Sequence, residues 1–427
     1  MTEKKSLIKG NGGQILFASI ISILIGLFAG IVVLVVVGMT NNSISGSSIW
    51  DGVRLVLIGV FNTGRDAAGS LTFGFNPTFF GNMLFRAMPL ILTGLSVAVA
   101  YKTGLFNIGA PGQYLAGICA TLFIALSIPT SSVPAWIVWI AAFFGGMIAG
   151  ALWGCIPGLL KSLLNINEVI ACIMTNWLAA CLVTWAFDSS KLKNVIDGTK
   201  TGYIYKTSTI INDVIVDGTR TVVGANIPEG ATVLATRGGV ATPKLGLDSL
   251  FSGSQVNGGI LIAILLAVIF YIIMEKTTLG YQLKACGSNR FAAQYAGIPD
   301  KRNIVLSMAL AGALAGAAGS LYGLSGNTEF FWTTYQSLPS VGFTGIAVAL
   351  LAVNNPIGVI FSALFMSLLT INGQQLTSLT AYNEYITDVI IAVIVYLSAF
   401  SLIIRTWLGK RRKKRDEKSG PAKGVQA

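Results

Sequence analysis

Long apolar stretches separated by short polar segments run along most of the chain. A helix needs about 20 apolar residues to cross the hydrocarbon core of a bilayer. Six stretches have this length, at 15–39, 79–100, 135–160, 169–187, 304–324 and 385–404. Four shorter or interrupted stretches lie at 108–128, 259–274, 338–353 and 357–371. The pattern therefore predicts an all-α integral membrane protein with about ten transmembrane helices.

Composition supports this fold class and argues against enzymatic chemistry. Of the 427 residues, 53% are hydrophobic and 11% charged, whereas soluble domains carry about 25% charged residues. The chain has no histidine, which removes a Ser/His/Asp triad, imidazole metal ligands and the usual proton shuttle. The five cysteines show no CxxC spacing. We therefore expect no catalytic residues, no metal site and no cofactor, and predict that the chain is not an enzyme.

The distribution of Lys and Arg predicts the orientation, because positively charged flanks resist translocation. Ten spans place both termini on one side. That side would hold the basic tail together with Lys4, Lys5, Lys9, Lys102, Lys161, Lys276, Lys284, Arg290, Lys301 and Arg302, whereas the opposite short loops hold Arg54 and Arg65. Both termini are therefore predicted to be cytoplasmic. Much of the net charge of +12 comes from the run at 410–415 after an apolar helix, which indicates a membrane-edge tail rather than binding to nucleic acid.

The spans divide the chain into two halves around one long outer segment. The predicted division is a cytoplasmic N-terminus (1–14), a first transmembrane half (15–187), an extracytoplasmic loop (188–258), a second transmembrane half (259–404) that includes a cytoplasmic loop at 275–303, and a basic cytoplasmic tail (405–427). Five spans in each half would give the halves opposite orientations, which leads to the hypothesis of an inverted repeat. Each half contains a Gly/Pro-interrupted stretch, at 104–117 and 338–350, which is typical of broken helices near a substrate path.

Two segments outside the spans have local structural signals. Residues 208–224 combine β-branched residues with glycine and predict one or two short strands, that is, a small β-containing loop, with an unstructured linker as the alternative. In the loop after the sixth span, Asn289 can cap a short helix over 291–296 that Gly297 ends and Pro299 cannot continue. Gly280 and Gly287 are interpreted as turns. The alternative for this loop is a simple connection without a function of its own.

Eleven positions of that loop match a known pattern of a Gly, a Leu-(Arg/Lys)-Ala, a Gly-x-Asn and an Ala-Ala-x-x-Ala-Gly-Ile. They are Gly280, Leu283, Lys284, Ala285, Gly287, Asn289, Ala292, Ala293, Ala296, Gly297 and Ile298. The loop thereby resembles the ATPase-coupling segment of the permease subunits of bacterial ABC importers for ribose, nucleosides and branched-chain amino acids. Arg290 departs from the pattern, since proline is usual there. The stretches around Asn107 to Gln113 and Glu168 to Asn176 are similar to the same family, with Pro111 where an acidic residue is common.

The resemblance implies a transport subunit in the bacterial cell membrane that works with separate proteins. Its partners would be a cytoplasmic ABC ATPase, an extracytoplasmic substrate-binding lipoprotein, and a second permease that is either a paralogue or another copy. The first span and the large outer loop are most similar to nucleoside permeases, which implies a nucleoside as the solute. The alternatives are a simple-sugar permease and, from the physics alone, an ion-coupled secondary transporter, although no Asp or Glu lies deep in a span.

Several polar residues within or beside the spans need partners. Asn107, Gln113 and Asn176 could each bond to neighbouring helices or contact the solute, because an unpartnered amide is costly in the membrane. Glu168 begins a helix after Asn167, and a structural role is favoured there. Arg86 lies inside its span, where it either reaches the outer interface or faces a pore. Ala293 is interpreted as part of the contact with the ATPase.

Overall fold

The structure, a computed structural model, describes residues 11–41, 44–128, 130, 132–190, 192, 199, 201, 213–216, 219–222, 240–327, 330–332, 338–383 and 385–398. The helices in these ranges are α1 (Asn11–Thr40), α2 (Gly46–Ile58), α3 (Pro77–Lys102), α4 (Ala110–Ser127), α5 (Ala135–Leu164), α6 (Glu168–Asp188), α7 (Leu247–Leu250), α8 (Gly259–Lys276), α9 (Thr278–Ser288), α10 (Arg290–Tyr295), α11 (Asp300–Gly323), α12 (Ser340–Leu351), α13 (Pro356–Leu379) and α14 (Tyr385–Ser398). The strands are β1 (Asn62–Arg65), β2 (Leu71–Phe73), β3 (Asp213–Val216) and β4 (Thr219–Val222).

The long apolar helices confirm the predicted fold class. In the described part of the chain, seven helices are long and apolar enough to cross a membrane, namely α3, α4, α5, α6, α8, α11 and α13. Three shorter apolar segments, 24–40, 340–351 and 385–394, belong to α1, α12 and α14. Each predicted span therefore coincides with one of these apolar helices.

The chain divides into two compact units, and each takes residues from both halves of the sequence. One unit comprises 1–75, 350–353 and 368–427, and the other comprises 76–349 and 354–367. The inverted repeat stays a prediction. In the first unit α1 packs tightly along α14, since a Cβ on Gly26 would lie 2.9 Å from the Cα of Ile394. The Tyr382 hydroxyl also donates to the Leu34 carbonyl at 2.9 Å. The N-terminal and C-terminal helices thus form one body.

In the second unit α5 and α11 meet along a seam of glycines. A Cβ on Gly316 would lie 3.0 Å from the Cα of Gly150, and one on Gly154 would lie 3.1 Å from the Cα of Gly312. On α4, Gly117 lies directly against the backbone of Gly316. Small residues let the backbones of membrane helices approach closely, so dispersion contacts between main chains replace side-chain packing. The glycines of α11 therefore pack directly against neighbouring helices.

Some elements differ from the sequence prediction. The pattern did not predict α2, although Ser45 caps it by accepting from the Ser48 amide at 3.2 Å, nor the β1–β2 hairpin, whose strands pair antiparallel. The predicted span at 357–371 ends too early, because α13 continues through polar residues to Leu379. Asn372 Nδ2 donates to the Val56 carbonyl at 2.8 Å, so a helix partner satisfies the donor end of that amide.

The segment that is predicted to be extracytoplasmic contains the predicted strands. β3 pairs antiparallel with β4, with Asp213 opposite Val222, which confirms a β-containing segment in the stretch 208–224. The rest of that stretch lies outside the described residues, as do most of 188–258, the first ten residues and the whole tail 405–427. The division of the chain into cytoplasmic and extracytoplasmic segments stays a prediction.

Candidate functional site

The helix preceding Asn107 and the helix following it are separated by a buried irregular segment. α3 ends at Lys102 and α4 begins at Ala110, while the side chains of Thr103, Leu105 and Asn107 between them are almost fully buried. Irregular backbone inside a membrane protein is tolerated where it is buried in protein or lines a cavity, because its polar groups need partners. A helix break therefore lies in the first Gly/Pro-rich stretch, and its place beside a substrate path stays a prediction.

The interrupted stretch of the second half packs against the first one. α12 is a short helix of 12 residues that begins at Ser340, and a Cβ on its Gly342 would lie 2.6 Å from the backbone nitrogen of Pro111. The Thr93 hydroxyl of α3 lies 3.3 Å from the Val341 carbonyl oxygen. Two stretches that are more than 200 residues apart in sequence thus meet at one junction.

Asn107 and Gln113 form a reciprocal amide pair at this junction. Asn107 Nδ2 donates to Gln113 Oε1 at 2.8 Å, and Gln113 Nε2 donates to Asn107 Oδ1 at 3.0 Å. Asn107 also donates to Ser96 Oγ at 3.0 Å and accepts from the Gly109 amide at 3.0 Å. Both side chains are at most 1% exposed. The pair closes the irregular segment into a hydrogen-bonded turn.

Asn176 fastens α6 to the same segment. Its Oδ1 accepts from the Gly112 amide at 2.9 Å, and its Nδ2 donates to the Ile108 carbonyl at 3.0 Å. Gly112 is required here, because a Cβ would lie 2.7 Å from Asn176 Oδ1. The amide therefore satisfies one donor and one acceptor that the helix break leaves open. The structure thus brings together all three predicted polar residues, each with hydrogen-bond partners within the protein, and their contact with the solute stays a prediction.

The loop after α8 contains two helices rather than one. α10 is capped by Asn289, whose Oδ1 accepts from the Ala292 amide at 3.0 Å. It ends at Tyr295, Gly297 two residues further on has φ +78°, and the Ile298 amide donates to the Ala293 carbonyl at 3.0 Å. These are the capping interactions that the sequence predicts for this helix.

α9 corrects the interpretation of Gly280 and Gly287 as turns, because both lie within this helix. A Cβ on Gly280 would lie against the carbonyls at the end of α8, and one on Gly287 would lie 2.8 Å from the Gly104 amide nitrogen. Both positions are therefore glycine because another backbone segment packs closely against them, and neither forms a turn.

The remaining residues of the matched loop divide between the interior and the surface. Leu283 and Ala293 are buried, at 0% and 4% exposed, Ala285 is half-buried, and Ala292 and Ala296 are exposed. Lys284 forms an ion pair with Glu275 at 2.9 Å. The Ala293 side chain packs within this chain, and its contact with the ATPase stays a prediction. Phe291 and Tyr295 are 82% and 98% exposed instead, and their spacing of four residues puts them on one face of α10.

α9 also contacts the segment that precedes Asn107. Gly287 packs on the turn formed by Lys102, Thr103 and Gly104, and Thr103 Oγ1 accepts from Ser307 Oγ of α11 at 2.8 Å. We name the pair α9 and α10 the coupling element, after the role that is predicted for this loop. Its backbone contact with this turn connects the exposed face of α10 to the irregular segment.

Arg290, where the family pattern has proline, is the first residue of α10. Its Nε donates to Asp300 Oδ2 at 2.6 Å. The backbone amide of the first residue in a helix makes no intrahelical hydrogen bond, so proline is tolerated at this position. Asn289 has the extended backbone that the residue before a proline adopts (φ −157°, ψ 108°). The departure therefore leaves the helix start intact.

We expect Arg290→Pro to keep the coupling element folded, with a loss of stability of about 1 kcal/mol or less from the partly exposed ion pair. Ala292→Pro is the control, because it removes the amide that Asn289 caps. Limited proteolysis of the loop and thermal unfolding of the purified protein measure both. Equal losses of thermal stability and of protease resistance in the two variants would contradict the assigned helix start.

Two other charged residues have simple positions. Glu168 is the first residue of α6 and forms an ion pair with Lys161 at 3.0 Å, so it has the structural role that was favoured. Arg86 is exposed on α3, which is otherwise largely buried.

Sequence reasoning missed Ser96, the partner of Asn107, and the exposure of Phe291 and Tyr295. A serine inside an apolar span was the available signal for Ser96.

Apolar helices long enough to cross a membrane, a buried helix break against which α12 packs and a short exposed helix between α9 and α11 are typical of a membrane transport protein. The family described as "Branched-chain amino acid transport system / permease component" matches residues 79–399. The chain belongs to this family, and it is a multi-pass membrane protein and a transport component rather than an enzyme.

Three relatives are similar over most of the chain. The nucleoside ABC transporter permease protein NupB of Lactococcus lactis subsp. cremoris is 36% identical over 84% of this chain and 93% of its own. The guanosine ABC transporter permease protein NupP of Bacillus subtilis is 32% identical over 93% of this chain and 97% of its own. The glucose ABC transporter permease protein TsgB13 of Haloferax volcanii is 30% identical over 81% and 82%. No solved structure matches the chain.

Proposed function

We propose that the chain is the membrane subunit of an ABC importer and forms the translocation path for a nucleoside. The coupling element is the observation that supports this proposal most strongly. It presents two exposed aromatic side chains beside α8 and α11, and its Gly287 packs on the turn before Asn107. A partner that binds α10 and changes shape on ATP hydrolysis would move the broken-helix junction through this contact.

The nucleoside is proposed on two grounds. NupB and NupP, whose names refer to nucleosides and guanosine, cover nearly all of this chain. The buried polar groups at the junction are neutral amides and hydroxyls, which suit hydroxyl and base edges better than a charged solute that would demand basic partners. The name of TsgB13 supports a sugar as the second candidate.

The proposed partners are a cytoplasmic ABC ATPase, an extracytoplasmic substrate-binding lipoprotein and a second permease, either a paralogue or a copy of this chain. The proposed ATPase contact is the exposed face of α10, with Phe291 and Tyr295 as its centre. Exposed aromatic residues are enriched at the energetic centres of protein interfaces. The three amides Asn107, Gln113 and Asn176 are proposed to hold the segment that borders the path.

The test is ATP-dependent uptake of labelled guanosine, adenosine, ribose and glucose by vesicles that contain the complete assembly. The double variant Phe291→Asp and Tyr295→Asp should remain folded, because both side chains are exposed, and should lower uptake by at least about tenfold, because the new charges would be desolvated at the interface. Phe75→Asp, an exposed aromatic residue outside the coupling element, is the control. Uptake of glucose in preference to nucleosides would contradict the proposed nucleoside and make a sugar the substrate. Uptake driven by an ion gradient without ATP would refute the proposal of an ABC importer.

The proposed orientation has both termini and the coupling element in the cytoplasm. Contacts join helix ends that are predicted to lie on the same side of the membrane. Examples are Lys161 with Glu168 and Gly287 with Lys102. In a variant without the native cysteines, Tyr295→Cys should react with an impermeant thiol reagent only after the cells are opened. Leu250→Cys, which is 67% exposed in the wild type, should react in intact cells. The opposite labelling pattern would reverse the orientation.

A further inference from the structure

An apolar groove lies between the first turns of α5, the segment 241–245 and the first turn of α8. Its volume is about 560 Å³. The side chains that form its walls are Trp136, Trp139, Ile140, Pro243, Leu245 and Ile262. Trp136 and Leu245 are 66% and 65% exposed, so the groove is open to the surroundings of the protein.

Hydrogen bonds hold the walls of the groove in place. Trp139 Nε1 donates to Thr242 Oγ1 at 3.1 Å. The Thr242 amide donates to the Leu324 carbonyl at 2.7 Å, and the Gly258 amide donates to the Pro243 carbonyl at 2.9 Å. The segment 241–245 is thereby tied to α5, to α8 and to the end of α11. The groove is therefore a fixed part of the fold.

Leu245 has an unusual backbone at the rim of the groove. Its φ is +53°, a left-handed conformation that branched side chains rarely adopt. The conformation places Leu245 over the start of α8, where a Cβ on Gly258 would lie 2.7 Å from Leu245 Cδ1. An exposed leucine held in this conformation indicates a surface that another apolar group covers.

The length of α8 places the groove at a boundary of the hydrocarbon core. α8 has 18 residues, or about 27 Å at 1.5 Å per residue, which is close to the thickness of the core. Gly258 and Ile262 at the start of α8 line the groove, so it straddles the boundary at the end of α8 away from the coupling element. Tryptophans are enriched at this depth, where Trp136 and Trp139 lie.

The chemistry of the walls selects a lipid over a polar solute. The Thr242 hydroxyl in the lining is already bonded to Trp139, and the other side chains except the two indoles are apolar, so a sugar or nucleoside would lose its hydrogen bonds there. Lys244, which is exposed, stands between the lining residues Pro243 and Leu245. A cation next to an apolar groove at the membrane boundary complements an anionic headgroup above an acyl chain.

We propose that this groove binds one anionic phospholipid, with an acyl chain along Trp136, Trp139 and Ile262 and the phosphate beside the Lys244 ammonium. The bound lipid covers Leu245 and joins the segment 241–245 to α5 and α8. This site is separate from the broken-helix junction and does not depend on the proposed substrate.

The test is native mass spectrometry of the purified full-length chain, exchanged into nanodiscs with equal amounts of phosphatidylglycerol and phosphatidylcholine and then released. The wild type should retain one phosphatidylglycerol per chain. Ile262→Trp fills the groove and should remove most of this retention, whereas Leu265→Trp, one turn further along α8 at a site that is 57% exposed, should not. Lys244→Gln should lower the preference for phosphatidylglycerol about fivefold, and Lys276→Gln at the other end of α8 should leave it unchanged.

Three results would overturn the proposal. The first is retention of no lipid by the wild type, and the second is equal loss with Ile262→Trp and Leu265→Trp. The third is a preference for phosphatidylglycerol that Lys244→Gln does not change. Because lipid retention is measured without transport, a failure of the proposed importer function would leave this result unaffected.

Discussion

Gly316→Val is expected to abolish the accumulation of folded protein. A side chain at this position would project into the backbone of α5 at Gly146 and Gly150, while Gly117 of α4 closes the third side. Backbone atoms cannot rotate away as a side chain can, so α5 and α11 must separate. Overpacking typically costs about 1 to 3 kcal/mol, and we expect Gly316→Val to exceed this range because the separation also breaks the contacts of neighbouring glycines.

The measurement is the yield of monodisperse protein in detergent and its midpoint of thermal unfolding. Ala313→Val is the matched control, because it adds two methyl groups on the same helix at a half-buried position. Gly316→Ala should give an intermediate loss, since one methyl group already meets the Gly146 carbonyl. Unfolding of Gly316→Val at the same temperature as Ala313→Val would show that the seam does not hold the helices together.

Asn107→Leu is expected to destabilise the protein by about 3 kcal/mol or more. The substitution leaves both ends of the buried Gln113 amide and the amide of Gly109 without partners, and each unsatisfied buried group costs about 1 to 3 kcal/mol. Adding Gln113→Leu should recover part of this loss, because replacing both partners by apolar groups leaves fewer polar groups unsatisfied. A double-mutant cycle by thermal unfolding gives the interaction free energy.

The same variants separate a bracing role from solute contact. If the amides hold the irregular segment, uptake should fall together with stability, and the double variant should recover part of both. If Asn107 binds the solute, the KM of uptake should rise in the single and the double variant alike. An unfolding temperature unchanged by Asn107→Leu would refute the hydrogen-bonded arrangement described here.

Local signals predicted α10, but the same kind of signal failed for α9. Asn289, Gly297 and Pro299 act through caps that lie within a few residues, so the sequence contains all the necessary information. Gly280 and Gly287 have helical backbones, and they are glycines because other parts of the chain approach them closely. The sequence alone does not distinguish a glycine that packs against a distant backbone from a glycine that forms a turn.

The site was predictable to a similar extent. Asn107, Gln113 and Asn176 stand out because amides are rare in apolar stretches, which identifies them as residues in need of partners. Their pairing depends on the packing of α6 against the irregular segment, and Asn176 is 64 residues from Gly112 in sequence. α2 has no apolar run long enough for a span, so the criterion of membrane crossing does not predict it.

The glycine seam between α5 and α11 also restricts how these helices can move during transport. Gly146, Gly150, Gly154 and Gly158 recur every four residues on α5, and the first three of them meet Gly312 and Gly316 on α11. A displacement of a fraction of a turn would drive the bulkier residues of one helix into the backbone of the other. A displacement of one full turn, about 5.4 Å, would bring glycine opposite glycine again. The seam therefore permits α5 and α11 either to move as one rigid pair or to change register in whole turns.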